Sequence, residues 1–198
     1  MTSPFDARPI IVALAGPNGA GKTTFYGAHL ARAGLRFVNA DELARELEID
    51  AYEAAEVAKN VRDALVEQLE SFVFETVFSD PVGEKLEFLR RASALGYTVV
   101  LCFIGLDSPE LSDERVAMRV LQGGHDVPTA KLVARYPRTL ANLRRAIREL
   151  PHVLVFDNSD LGRPFRKIAV FESGKAAELH DPVPAWLPAA RGRVRSSS

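Results

Sequence analysis

Cysteine is all but missing from this chain: Cys102 is the only one in 198 residues. That excludes a disulfide framework and a thiolate metal site. The lone thiol falls in the apolar run Thr98–Ile104, where it reads as a small buried hydrophobe rather than a nucleophile. The four histidines are scattered and suggest no zinc site. An excess of one charge is lacking too. With 25 Lys and Arg against 26 Asp and Glu, the net charge is −1, which gives no reason to expect nucleic acid as a partner. No apolar run approaches the ~20 residues a membrane-spanning helix needs. Met1–Arg8 has no signal-peptide core. The expectation is a cytoplasmic protein without a membrane partner. Internal repeats are also absent, and so is the Asn-Lys-x-Asp with which GTPases read guanine.

What is present is ordinary globular composition, 47% hydrophobic, enough for a three-layer core in one domain over residues 1–180. Residues 181–198 are rich in Pro, Arg and Ser and are expected to be a loosely ordered tail. The domain is organised around Gly16-Pro17-Asn18-Gly19-Ala20-Gly21-Lys22-Thr23-Thr24, which fits the phosphate-loop pattern G-x-x-x-x-G-K-[ST]. The flanks agree with it. Pro9–Ala15 is a short apolar strand, and Thr24–Ala33 reads as a helix stopped by Gly34. The alternative is a chance glycine-rich turn before a helix. In the phosphate-loop reading the glycines let backbone N–H groups converge on a polyphosphate at a helix N-terminus. Lys22 reaches the β- and γ-phosphates, and the Thr23 hydroxyl ligates Mg²⁺.

Strand and helix patterns alternate along the rest of the chain. Strands are expected at Leu35–Asn39, Ser71–Phe78, Tyr97–Ile104, Pro151–Asp157 and Phe165–Phe171, the last turning at Ser173-Gly174. Helices are expected over Glu42–Glu48, Tyr52–Leu69 and Val82–Leu95, then from Ser108 to the glycine pair at 123–124, and over Thr129–Leu150, bent near Pro137. The pattern predicts a three-layer α/β fold with a mainly parallel five- to six-stranded sheet. Such sheets place their chemistry at the carboxyl ends of the strands.

The polar residues at those ends suggest a small phosphotransferase with a helical lid over residues 107–138. Arg115 and Arg119 lie one turn apart on that lid and can bracket a phosphoryl group in transfer; the alternative is a solvated face paired with Glu110, Asp113 and Glu114. Asp41, expected to end the second strand next to the glycine loop, is the candidate general base; a helix-capping role would use the same residue. Glu75 ends an apolar strand, where a carboxylate needs a partner such as a Mg²⁺-bound water, a substrate hydroxyl or a neighbouring cation. Asn158, in Asp157-Asn158-Ser159, is placed to line an adenine pocket, although a simple turn would also use it. His125 and Asp126 read as a surface loop pair. Leu121–His125 superficially resembles the L-S-G-G-Q signature of transporter ATPases, but the chain is too short for that domain.

These residues together resemble the zeta-toxin family of P-loop kinases, especially its short members, over roughly residues 10–160. The resemblance rests on the glycine loop at 16–24, Phe-Val-Asn-Ala-Asp at 37–41, Phe-Glu-Thr at 74–76 and Arg-Val-x-x-Arg-Val at 115–120. Gly-Gly-His-Asp-Val-Pro at 123–128 and Val-Phe-Asp-Asn-Ser at 155–159 complete it. It implies an ATP- and Mg²⁺-dependent kinase that phosphorylates a sugar hydroxyl of a UDP-activated N-acetylated amino sugar, and an antitoxin partner. By position, residues 16–24 and Asn158 form the nucleotide site, Asp41 is the base, Asp41, Glu75 and Thr76 hold substrate, and Arg115 and Arg119 belong to the lid. The longer toxins carry a residue between that glutamate and threonine. Here the two are adjacent, an arrangement that would turn Thr76 away. A kinase for another small hydroxyl acceptor, and a regulatory protein that binds ATP without transferring phosphate, are the competing readings.

Overall fold

The computed structural model describes residues 3–121 and 127–187. Seven strands form one sheet in the order β2-β3-β1-β4-β5-β6-β7. The first five, β1 (Ile10–Ala15), β2 (Arg36–Val38), β3 (Phe72–Thr76), β4 (Thr98–Gly105) and β5 (His152–Asp157), run parallel. β6 (Arg166–Glu172) and β7 (Lys175–Leu179) add an antiparallel hairpin at one edge.

The centre of the sheet follows from alternation. All six residues of β1 are buried, and successive side chains enter opposite layers. Ile11, Ala13 and Ala15 join the layer containing Phe72, Phe74, Leu101 and Phe103. Ile10, Val12 and Leu14 join Val73, Val100, Cys102 and Ile104 on the other face. A strand covered on both faces has no polar positions, which is why this run is continuously apolar. Helices α2 (Ala40–Leu47), α3 (Ala51–Glu67), α4 (Glu84–Ala94) and α6 (Thr129–Glu149) contribute to the first layer. Phe25 of α1 (Lys22–Phe25) and Leu111 of α5 (Pro109–Leu121) pack in the second.

Local signals set the boundaries. The Asp50 carboxylate accepts hydrogen bonds from the N–H groups of Tyr52 and Glu53, and the Glu53 carboxylate accepts one from the Asp50 N–H, so α3 starts on a capping box. Pro137 lies inside α6, as expected from sequence.

Three expectations need correction. The helix after the glycine loop is not one α-helix: four residues of α1 pass into a π-helical turn, Tyr26–Leu30, and a 3₁₀ turn, Ala31–Ala33. The sheet has seven strands rather than five or six. β7 was illegible because Lys-Ala-Ala-Glu-Leu has weak strand propensity, yet Ser173 and Gly174, at φ +47° and +81°, form a tight hairpin turn that pairs it with β6. Finally, the segment after residue 180 is not all loose. Trp186 and Leu187 are buried in the first core layer, with the Trp186 ring 6.0 Å from that of Phe103.

Candidate active site

The glycine loop is gripped on three sides. Gly16 has φ +147°, and a side-chain carbon there would stand 2.1 Å from the Ile104 carbonyl oxygen of β4. At Gly19, φ +73°, a side-chain carbon would stand 2.9 Å from the Ser112 carbonyl oxygen and 3.0 Å from Arg115 Cβ of α5. Gly21, at φ +84°, is the residue from which α1 starts and abuts Asn158. Each glycine is needed for its backbone angle and for close approach together. Hydrogen bonds complete the grip. Ser112, 1% exposed, donates its hydroxyl to the Asn18 carbonyl at 2.7 Å. Asn158, 4% exposed, donates to the Ala20 carbonyl at 2.9 Å and accepts from the Phe165 N–H at 3.2 Å. Asn158 therefore braces the loop as well as lining the cavity beside it.

That cavity has a volume of about 760 Å³ and lies between the loop, α5 and the segment 158–165. Lys22, Thr23 and Thr24 line its loop side, and Arg115 and Arg119 its α5 side. Phe165 and Pro164 give it an apolar wall. Alternation within β3 sends Glu75 toward the loop and Thr76 to the opposite face. The Glu75 carboxylate accepts the Thr23 hydroxyl at 2.8 Å and the Asn39 amide at 3.2 Å, and its other oxygen is 3.6 Å from Lys22 Nζ. The Lys22 ammonium also donates to the Gly16 and Pro17 carbonyls at 3.1 and 3.0 Å. Burial lowers the Lys22 pKa, opposed by the charges of Glu75 and Asp41; the Arg119 charge adds to the lowering.

Among the described residues no group of three or more His, Cys, Asp or Glu side chains could hold a metal alone. A hydroxyl and a carboxylate 2.8 Å apart beside a phosphate loop nevertheless fit Mg²⁺. This ion keeps several waters and takes few protein oxygens when phosphates supply others.

The remaining candidates divide. Asp41 is exposed in the first turn of α2, with its N–H held by Asn39 at 2.9 Å. It does not end β2, and β2 is not next to the loop strand, because β3 lies between them. Asp41 is therefore outside the cavity, yet its charge reaches Lys22. Thr76 sits apart from the cluster, its hydroxyl accepting the Phe78 N–H at 3.0 Å. Arg115 donates to the Ser159 carbonyl at 3.0 Å, tying α5 to the segment after β5. Burial lowers its pKa, and the nearby Asp157 opposes that shift. Arg119, one turn further along α5, adds its charge to the groups felt at Lys22. The glycine pair at 123–124, His125 and Asp126 lie outside the described residues. Sequence reasoning missed Ser112 and the wall at 160–165. Ser112 carried a weak signal, one turn before Arg115 on the same helix face.

Residues 11–150 match the family described as AAA domain, and the chain belongs to that family. No curated protein sequence matches it. Solved structures do. The AvrRxo1-ORF1:-ORF2 structure with ATP superposes with a TM-score of 0.70 at 19% identity, over 94% of this chain and 67% of that one. The same complex with sulphate ions gives 0.66 at 20%, over 89% and 62%. The chain thus spans somewhat under two thirds of that relative's length in one structure and two thirds in the other. The PezAT toxin-antitoxin structure of Streptococcus pneumoniae gives 0.57 at 19%, over 82% and 72%. At this identity the likeness concerns the fold, which is that of the P-loop kinases: α/β, with a seven-stranded, mostly parallel sheet.

Proposed function

We propose that this AAA-domain protein is an ATP-dependent phosphotransferase with a small hydroxyl-bearing acceptor, and that the acceptor is a UDP-activated amino sugar. The observation that carries the kinase reading is the cluster of Lys22, Thr23 and Glu75 at the floor of a cavity roofed by an arginine-bearing helix. The cavity is large enough for a nucleotide. The AvrRxo1 crystals with ATP support the choice of nucleotide. In this scheme Lys22 leaves the Gly16 and Pro17 carbonyls for the β- and γ-phosphates. Thr23 and Glu75 would hold Mg²⁺, which would supply charge neutralisation for the phosphates. Arg119 faces the transferring group, and Asp41 takes the acceptor's proton from outside the nucleotide cavity.

One observation favours a different hydroxyl acceptor. The Thr76 hydroxyl accepts the Phe78 N–H in a turn on the face away from Glu75, which weakens one of the three contacts expected for the sugar. The AvrRxo1 and PezAT complexes support an antitoxin-like protein partner as a further part of the proposal.

Incubation of the protein with ATP, Mg²⁺ and a panel of nucleotide sugars, nucleosides and sugar acids, read by mass spectrometry, separates the acceptors. Lys22→Ala should abolish transfer. Asp41→Asn should slow it by about 10²–10⁴-fold while ATP affinity stays within about threefold. Wild-type turnover by Asp41→Asn would remove the base from the scheme. ATP binding with no phosphorylated product from any acceptor would leave the regulatory reading.

A further inference from the structure

Asn39 is 6% exposed and makes two hydrogen bonds in different directions. Its carbonyl oxygen accepts the Asp41 N–H at 2.9 Å and so caps α2. Its amide nitrogen donates to Glu75 Oε2 at 3.2 Å. That same carboxylate oxygen accepts the Thr23 hydroxyl at 2.8 Å. One side chain thus stands between the helix that carries the acceptor-side acid and the carboxylate beside the phosphate loop.

The sheet makes this meeting inevitable. Val38 pairs with Phe74 across β2 and β3, so the next two residues, Asn39 and Glu75, turn together to the opposite face. The residue type is informative as well. A helix cap alone needs only an acceptor, which Ser, Thr or Asp would supply equally well. Glu75 needs a donor. An asparagine amide offers a separate acceptor and donor at its two ends.

We propose that Asn39 is a positioning residue for phosphoryl transfer, resting on the kinase reading above. With one end it aims the Glu75 carboxylate at Thr23 and Lys22. With the other it fixes the first turn of α2, so that the separation of Asp41 from the phosphate loop is set by a single amide.

The test uses the full chain and two kinds of readout. Asn39→Ser keeps a capping oxygen and removes the amide donor. Its melting temperature should stay within roughly 2–4 °C of wild type, while kcat falls about tenfold or more and the KM for ATP moves less than threefold. Asn39→Asp sets two carboxylates against each other and should lower the melting temperature. Adding Glu75→Gln, which exchanges donor and acceptor within the pair, should restore it. Wild-type kcat in Asn39→Ser would overturn the proposal. So would melting-temperature losses for Asn39→Asp and Glu75→Gln that simply add. If even the wild type phosphorylates no acceptor, the kinase reading fails by itself. ATP hydrolysis then supplies kcat, and the thermal coupling decides whether Asn39 holds Glu75.

Discussion

Lys22 is a cation with 6% exposure, and three oxygens stand where phosphates would be needed: two loop carbonyls and a Glu75 oxygen. A buried ammonium without such partners would cost several kcal/mol. The glycine loop therefore keeps its lysine charged and in place by folding it back on itself. Gly16→Ala should destroy this arrangement, because the added carbon would overlap the Ile104 carbonyl; loss of ATP binding in calorimetry is the expected result. Gly105 plays a comparable part away from the site. Its missing side chain leaves the slot filled by the Trp186 ring, which a side-chain carbon would meet at 2.2 Å. Trp186→Ala should cost about 3–5 kcal/mol in chemical denaturation. Trp186→Phe should cost less, since it keeps a ring and removes an indole N–H with no acceptor among the described residues. The glycine loop could be read from sequence because its spacing is itself the chemistry. The slot under Trp186 could not, because the glycine and the ring it receives are 81 positions apart in a segment of proline-rich composition.

Among the elements, α5 carries both arginines of the candidate site. Two arginines one turn apart suggested a pair acting together on the transferring group. Both line the cavity, but Arg115 is also bound to the Ser159 carbonyl, and the Arg119 charge adds to the lowering that burial imposes on Lys22. Helical spacing shows which residues share a face, but it cannot show what stands opposite that face. Arg115→Ala should therefore raise the KM for ATP by loosening the wall after β5, with kcat less affected. Arg119→Ala should act mainly on kcat, and steady-state kinetics over a range of ATP concentrations separates the two. A kcat loss equal in both would restore the paired role. The contact of α5 with the glycine loop adds a third case. Ser112→Ala removes the bond to the Asn18 carbonyl and should cost about 1 kcal/mol of stability.

At the scale of the whole molecule, the alternation of strands and helices was legible and gave the layers, the parallel core and the edge that carries the site. Strand order was not. It put β3 rather than β2 beside the loop strand, so Glu75 rather than Asp41 meets Lys22 directly. Local sequence patterns carry no record of which strands become neighbours. The same sandwich of buried layers has a pH consequence. Burial pushes the Cys102 thiol from 9.0 to about 12, and the Tyr136 phenol, which donates to the Leu106 carbonyl at 2.7 Å, from 10.0 to about 12. Both groups keep their protons in the folded chain at pH values where the unfolded chain has lost them. Their contribution to stability is thus complete below about pH 9 and is lost as pH rises toward 12. Lys22 works in the other direction: its lowered pKa leaves the unfolded chain binding more protons, which favours folding as pH rises toward 10.5. Denaturant midpoints measured from pH 8 to 12 should fall in the wild type if the two acids outweigh the lysine. Cys102→Ala and Tyr136→Phe should each flatten that fall, whatever their effect at pH 8. Lys22→Met, which removes the opposing group, should steepen it. Identical slopes in all four proteins would mean that alkaline unfolding is driven by surface charge and not by these buried groups.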